Sequence, residues 1–187
     1  MLKLQTILFH KISIFILMFC FINASSEALE YSTSPQIAID AQGNVATVWQ
    51  SLYSLSGNNV IEFRYYDSLS TTWSTEIIVS DPLLNSYTPS LAINGKGDLV
   101  IVWISSDVDG ISSLYASIKL FQEAVSAPTR VSLTTSLTMD AYSMDVNNNG
   151  DIVFSWTGFF PPTYTSVVRE TRGNLDGTWQ APRTLSN

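Results

Sequence analysis

One pattern recurs three times along this chain, at spacings of 54 and 53 residues, and it limits the fold more than any other feature. Residues 35–50 read PQIAIDAQGNVATVWQ, residues 89–104 read PSLAINGKGDLVIVWI, and residues 142–157 read YSMDVNNNGDIVFSWT. The three align without a gap, with Trp49, Trp103 and Trp156 in register and Gly43, Gly97 and Gly150 in register before them. A fixed period of this size signals one supersecondary unit repeated, each copy needing its neighbour to bury an apolar face.

Each unit reads as four short strands bounded by Gly, Asn, Asp, Ser and Pro. The first unit places them at 36–39, 45–50, 61–66 and 76–80. The second places them at 90–93, 99–104, 114–119 and 129–133, and the third at 143–146, 152–157, 166–171 and 183–185. Residues 114–125 come nearest to a helical pattern, yet the aligned segments of the other units read as strand and turn. The second halves also correspond. Trp73 and Trp179 precede the fourth strands, Pro128 matches Pro182, and the units close on Ser80, Ser132 and Ser186. Second strands such as LVIVW are nearly continuous apolar runs, as expected where both faces are covered. Low charge, 13% of residues, together with 12% aromatics fits an all-β class.

Four strands in about 50 residues is the size of a β-propeller blade. The expected fold is therefore all-β, with three four-stranded antiparallel blades (31–81, 85–133 and 138–187) in a partial, unclosed propeller. Rings close with about four to eight blades. Three would leave two sheet faces open, so the sequence points to a homodimer completing a six-bladed ring, to a piece of a longer propeller, or to a third unit that packs unconventionally.

The repeats resemble those of secreted bacterial β-propeller proteins, whose units read roughly P-x-I-A-I-D-x-x-G-N-x-x-x-V-W and which are distantly similar to sialidase-like propellers. Sialidase-type blades carry an Asp-box turn, S-x-D-x-G-x-T-W, between their third and fourth strands. This chain has NLDGTW at 174–179 in the matching place, one residue shorter. In the first unit only Trp73 remains, and the second has no Trp there. The box is structural in those proteins, so the resemblance implies a fold and not an activity.

Residues 1–28 read as a signal peptide: basic Lys3, His10 and Lys11, an apolar run over 12–22, then a small polar stretch with Ser26 and Ala28. Phe19 before Cys20 does not suit a lipid-modified cysteine. Cleavage would leave a secreted, periplasmic or cell-surface protein without a membrane anchor. It would also remove the chain's single His and single Cys. The remainder then has no Ser-His-Asp triad, no Cys nucleophile, no disulfide and no conventional zinc site. A formal charge of −7 without a basic cluster argues against nucleic acid.

No catalytic set emerges, and no cofactor is implied. The stretch from Asp145 to Asp151 has the oxygen spacing of a calcium loop. The aligned turns of the other units keep the Gly and change the ligands, which favours a hairpin turn and no metal. Asp107 and Asp109 form a carboxylate pair in the loop between the second and third strands of unit two, where a solvated turn competes with a binding role. Arg64, Arg169 and Arg172 would be the anion clamps of a sialidase-like site, but Lys119 stands near the matching place in unit two. Phe159, Phe160 and Tyr164, with Pro161 and Pro162, make the most apolar of the variable loops and are candidate contacts for glycan or protein. The reading is an exported, non-enzymatic interaction module, with a truncated sialidase-like glycan-processing protein as the alternative. Trp49, Trp103, Trp156, Trp73, Trp179, Gly43, Gly97 and Gly150 are assigned structural roles.

Overall fold

The computed structural model describes residues 31–131, 138–160 and 165–186. The first sheet contains β1 (Ser32–Ile39), β2 (Val45–Leu52), β3 (Asn59–Asp67), β4 (Thr72–Trp73) and β5 (Ile77–Ile78). The second contains β6 (Asn85–Ile93), β7 (Leu99–Ser106), β8 (Ser112–Lys119) and β9 (Thr129–Arg130). The third contains β10 (Thr138–Val146), β11 (Asp151–Phe160), β12 (Thr165–Asn174) and β13 (Arg183–Thr184). Every pairing is antiparallel and follows chain order, so each sheet is a meander. In blade 1, β4 and β5 both pair with β3 and share the fourth place.

The repeated turn explains its own sequence. In each blade one side-chain oxygen caps the hairpin between the first two strands. Asp40 Oδ1 accepts the N–H groups of Gln42 and Asn44, both at 2.9 Å. Asn94 Oδ1 accepts those of Lys96 and Asp98, and Asn147 Oδ1 those of Asn149 and Asp151. An Asn–Asp pair then crosses the turn, with the amide donating to the carboxylate in all three blades. Blade 1 carries the acid first and the amide second; blades 2 and 3 reverse the order. The Gly takes φ of +85°, +88° and +88° at Gly43, Gly97 and Gly150, a region open to Gly at little cost. Asn147, read as one ligand of a calcium loop, is thus committed to backbone N–H groups.

Packing runs in series. In blade 2 the β7 side chains alternate between two cores. Leu99, Ile101 and Trp103 meet Ala46, Val48, Ile61, Phe63 and Val79 of blade 1. Val100, Val102 and Ile104 meet Ile152, Phe154 and Trp156 of blade 3. Hence β7 is buried along both faces, as its continuous apolar run anticipates. Each blade has a leading face, turned to the blade before it, and a trailing face. Trp103 and Trp156 point from leading faces and are 0% and 1% exposed. Trp103 stacks on Tyr115 with centroids 6.3 Å apart and donates from Nε1 to Ser105 Oγ at 3.0 Å.

Two element boundaries depart from the sequence reading, each for a local reason. The first strands start earlier than the prolines at 35 and 89 suggest. A bulge at Ser34–Pro35 and at Thr88–Pro89, with φ of 53° at Ser34 and 50° at Thr88, absorbs a residue without an N–H and continues the strand. The fourth strands are shorter than expected because serine hydroxyls replace ladder carbonyls. Ser74 Oγ accepts from Tyr65 N, Ser126 Oγ from Ile118 N, Ser80 Oγ from Ile61 N and Ser186 Oγ from Val168 N. The segment from residue 114 is strand as far as Lys119 and turn beyond it.

Candidate functional site in the open groove of blade 1

The leading face of blade 1 has no sheet in front of it among the described residues. Trp49, aligned with two fully enclosed tryptophans, is partly exposed. Ile37 and Ile39, on the same face by register, are 72% and 65% exposed. Their counterparts in blade 2, Leu91 and Ile93, pack against the core shared with blade 1. Opposite Trp49 the backbone bulges outward at Ser34 and Pro35, so the strand edge and the indole enclose a groove between them.

This groove has a volume of about 510 Å³ and is lined by Ser32, Thr33, Pro35, Thr47, Trp49, Arg64, Trp73 and Glu76. Strand register puts Thr47 opposite Arg64 and Trp49 opposite Glu62. The Arg64 guanidinium lies 5.7 Å from the Trp73 ring centroid, and its Nε donates to Ser74 O at 3.1 Å. Tyr66, paired with Trp73 across the strands, packs against it with ring centroids 5.4 Å apart. Glu62 accepts a hydrogen bond from Ser51 Oγ. The result is a pair of indoles held by fixed neighbours, with hydroxyls, a guanidinium and a carboxylate around them. A concave apolar floor bearing a few oriented polar groups is the usual composition of a small-ligand site.

The other candidate residues are dispersed. Asp107 sits in the β7–β8 hairpin, where its Oδ1 accepts from Asp109 N at 3.1 Å and Ile111 N at 2.9 Å; it repeats the capping seen in the first hairpins. Asp109 is exposed at the tip of that turn. Phe159, 36% exposed, lies near the end of β11, paired with Thr138 and Ser166. The Phe160 side chain and Pro161, Pro162 and Tyr164 lie outside the described residues. The three arginines occupy three different faces: Arg64 the open groove, Arg169 the blade 3 face opposite Trp156 and towards blade 2, and Arg172 the outer face of blade 3. They form no common clamp. Trp179 closes the shortened box by bridging to Gly173, while Asp176 Oδ1 accepts from Thr178 N and Oγ1. Those bonds hold the Asp176 carboxyl below its ordinary range.

The groove was missed because the repeat assigns Trp49 to the core along with its two aligned partners. The signal was available in the sequence: residues 1–34 hold no earlier copy of the motif whose sheet would cover Trp49.

No family model and no curated protein matches the sequence. Solved structures do match. The Hadza microbial sialidase Hz136 aligns with a TM-score of 0.57 at 10% identity, over 82% of this chain and 38% of its own. The fold is that of a β-propeller, in part. The GH93 α-L-arabinofuranosidase of Fusarium graminearum aligns with a TM-score of 0.54 at 12% identity, over 81% of this chain and 50% of its own. An endo-arabinase from Bacteroides thetaiotaomicron gives 0.53 at 14% identity, over 88% and 66%. The chain thus spans from over a third to about two thirds of these structures and shares their architecture. Its likeness to sialidase-like propellers is distant, carried by blade geometry at low identity.

Proposed function

We propose that this propeller segment is an exported carbohydrate-binding module and that the leading face of blade 1 receives the sugar. The observation that carries this reading is the exposure of Trp49 and Trp73 on either side of Arg64 in one groove. Indole faces match the apolar C–H face of a pyranose. Ser32, Thr33, Thr47 and the charged pair Arg64 and Glu76 offer donors and acceptors for its hydroxyls. Both tryptophans belong to a rigid sheet, so little ordering is required on binding. Export follows from the signal-like residues 1–28, which would deliver the groove to compartments where glycans are presented.

Glycan-array screening of the purified protein, followed by calorimetry on the best ligand, tests the proposal. Binding that falls at least tenfold in both Trp49→Ala and Trp73→Ala, with the fold intact by circular dichroism, is the expected result. Retention of no glycan, or binding indifferent to both substitutions, would remove it. The glycosidases among the similar structures favour a second reading, glycan processing. Turnover of a fluorogenic sialoside or arabinoside, abolished by Arg64→Ala in the groove, would replace the binding-only account with that one.

A further inference from the structure

The two end faces of the blade series are chemically unlike. On the trailing faces of blades 1 and 2 the central cross-strand pairs are apolar: Val48 opposite Phe63, and Val102 opposite Ala116. The register-equivalent pair in blade 3 is Ser155 opposite Glu170. One step along β12, Arg172 stands where Tyr65 and Ile118 stand in the earlier blades, and on the outer strand Arg183 replaces Ile77 and Thr129. These substitutions form one assembly. Glu170 Oε1 accepts from Arg172 Nε at 3.4 Å and, across the strand pair, from the Arg183 guanidinium. The Glu170 side chain is only 11% exposed, whereas the two arginines are 54% and 63% exposed. Thr157 continues the polar surface where blade 2 has Ile104.

In a head-to-tail ring, the trailing face of blade 3 would have to meet the leading face of blade 1 in a second copy. That leading face offers Ile37, Ile39 and Trp49, with Glu62, Arg64 and Glu76 beside them. Covering the Glu170 cluster with it would strip water from two exposed guanidiniums that already share one carboxylate, a cost that Ile37, Ile39 and Trp49 do not return, and Glu62 beside them is engaged by Ser51. Within the chain, by contrast, both sheet-to-sheet interfaces are built around apolar clusters.

We infer that Ser155, Glu170, Arg172 and Arg183 form a polar end-plate that prevents a second copy of this chain from docking on blade 3, leaving the blade 1 groove uncovered. The inference concerns assembly and stands whether or not the groove binds sugar. It is tested by giving blade 3 the residues of blade 2: S155V, E170A, R172I and R183T in one variant, with analytical ultracentrifugation as the readout. The native protein is expected to sediment as a monomer at all concentrations. The fourfold variant is expected at double mass or more, and adding I37E on the leading face returns it to monomer. A native protein that dimerises and is dissociated by I37E alone, or a folded fourfold variant that stays monomeric, would overturn the inference. If the fourfold variant does not fold, hydrogen exchange of the native protein decides. Protection of β11 and β12 amides that rises with protein concentration would contradict the end-plate, and protection independent of concentration would uphold it.

Discussion

Trp49 and Trp103 share one place in the repeat and differ in what lies in front of them, so truncating each to Ala isolates the energy of blade-on-blade packing. Trp103 is fully enclosed between blades 1 and 2. A buried Trp removes roughly 150–250 Å² from water, about 4–6 kcal/mol by area as an upper bound. Measured Trp→Ala costs in cores run at about 3–5 kcal/mol. Losing the Nε1 hydrogen bond to Ser105, itself bonded to Ser86, keeps the expected value in the upper half of that range. Trp49 has its own blade behind it and, among the described residues, no sheet ahead of it, which leaves about 1 kcal/mol at stake. For a domain of this size each kcal/mol moves the midpoint by about 2–4 °C. Trp103→Ala should therefore lower Tm by roughly 8–20 °C and Trp49→Ala by no more than about 4 °C. Urea unfolding followed by circular dichroism and by fluorescence gives the free energies and checks that the two probes coincide. Equal losses for the two variants would refute the serial arrangement, because they would require a covering sheet in front of blade 1.

Further expectations follow from single residues. A Cβ at Gly97 would lie 2.8 Å from Phe121 and 3.0 Å from Asp40, on a backbone of φ +88°, while at Gly177, φ +84°, it would meet open space. Gly177→Ala should cost about 1–2 kcal/mol for the dihedral alone, and Gly97→Ala distinctly more in the same denaturation assay. Burial raises the Tyr142 hydroxyl, which donates to Thr88 O and Val102 O across the blade 2–3 seam, and desolvation pushes Tyr65 up to about 12. Both groups keep their protons longer in the folded state. Their stabilisation is thus complete below about pH 10, where unfolded tyrosine begins to ionise, and is lost as pH climbs through the folded values. Lys119, lowered mainly by desolvation, works in the opposite sense over the same alkaline range. Stability measured from pH 8 to pH 12 should fall less steeply in Tyr142→Phe than in the native protein; an identical slope would show that Tyr142 does not contribute.

Much of the architecture was legible because the same physical demand is written three times. The hairpin turn needs a side-chain acceptor at its first residue and a Gly at positive φ, so Asp40, Asn94 and Asn147 with Gly43, Gly97 and Gly150 announced it. The closing serines were legible as a period and became intelligible only through their hydrogen bonds to Ile61 and Val168. What the repeat could not convey is where it stops being a repeat. Trp49 reads like Trp103, although among the described residues only Trp103 has a sheet in front of it. Glu170 reads as a polar residue on a strand, although register places it at the centre of an end face that is apolar in the two blades before it. The candidate site and the end-plate both depend on such differences between equivalent positions, and those require knowing which face each residue occupies.

The indole N–H signals of the five tryptophans, followed by nitrogen–proton correlation spectra with hydrogen exchange and glycan titration, test the account most directly. The arrangement predicts slow exchange for Trp103 and Trp156, fast exchange for Trp49 and Trp73, and ligand-induced shifts confined to the fast pair. A Trp49 signal as protected as that of Trp103, or shifts centred on Trp103 and Trp156, would contradict it.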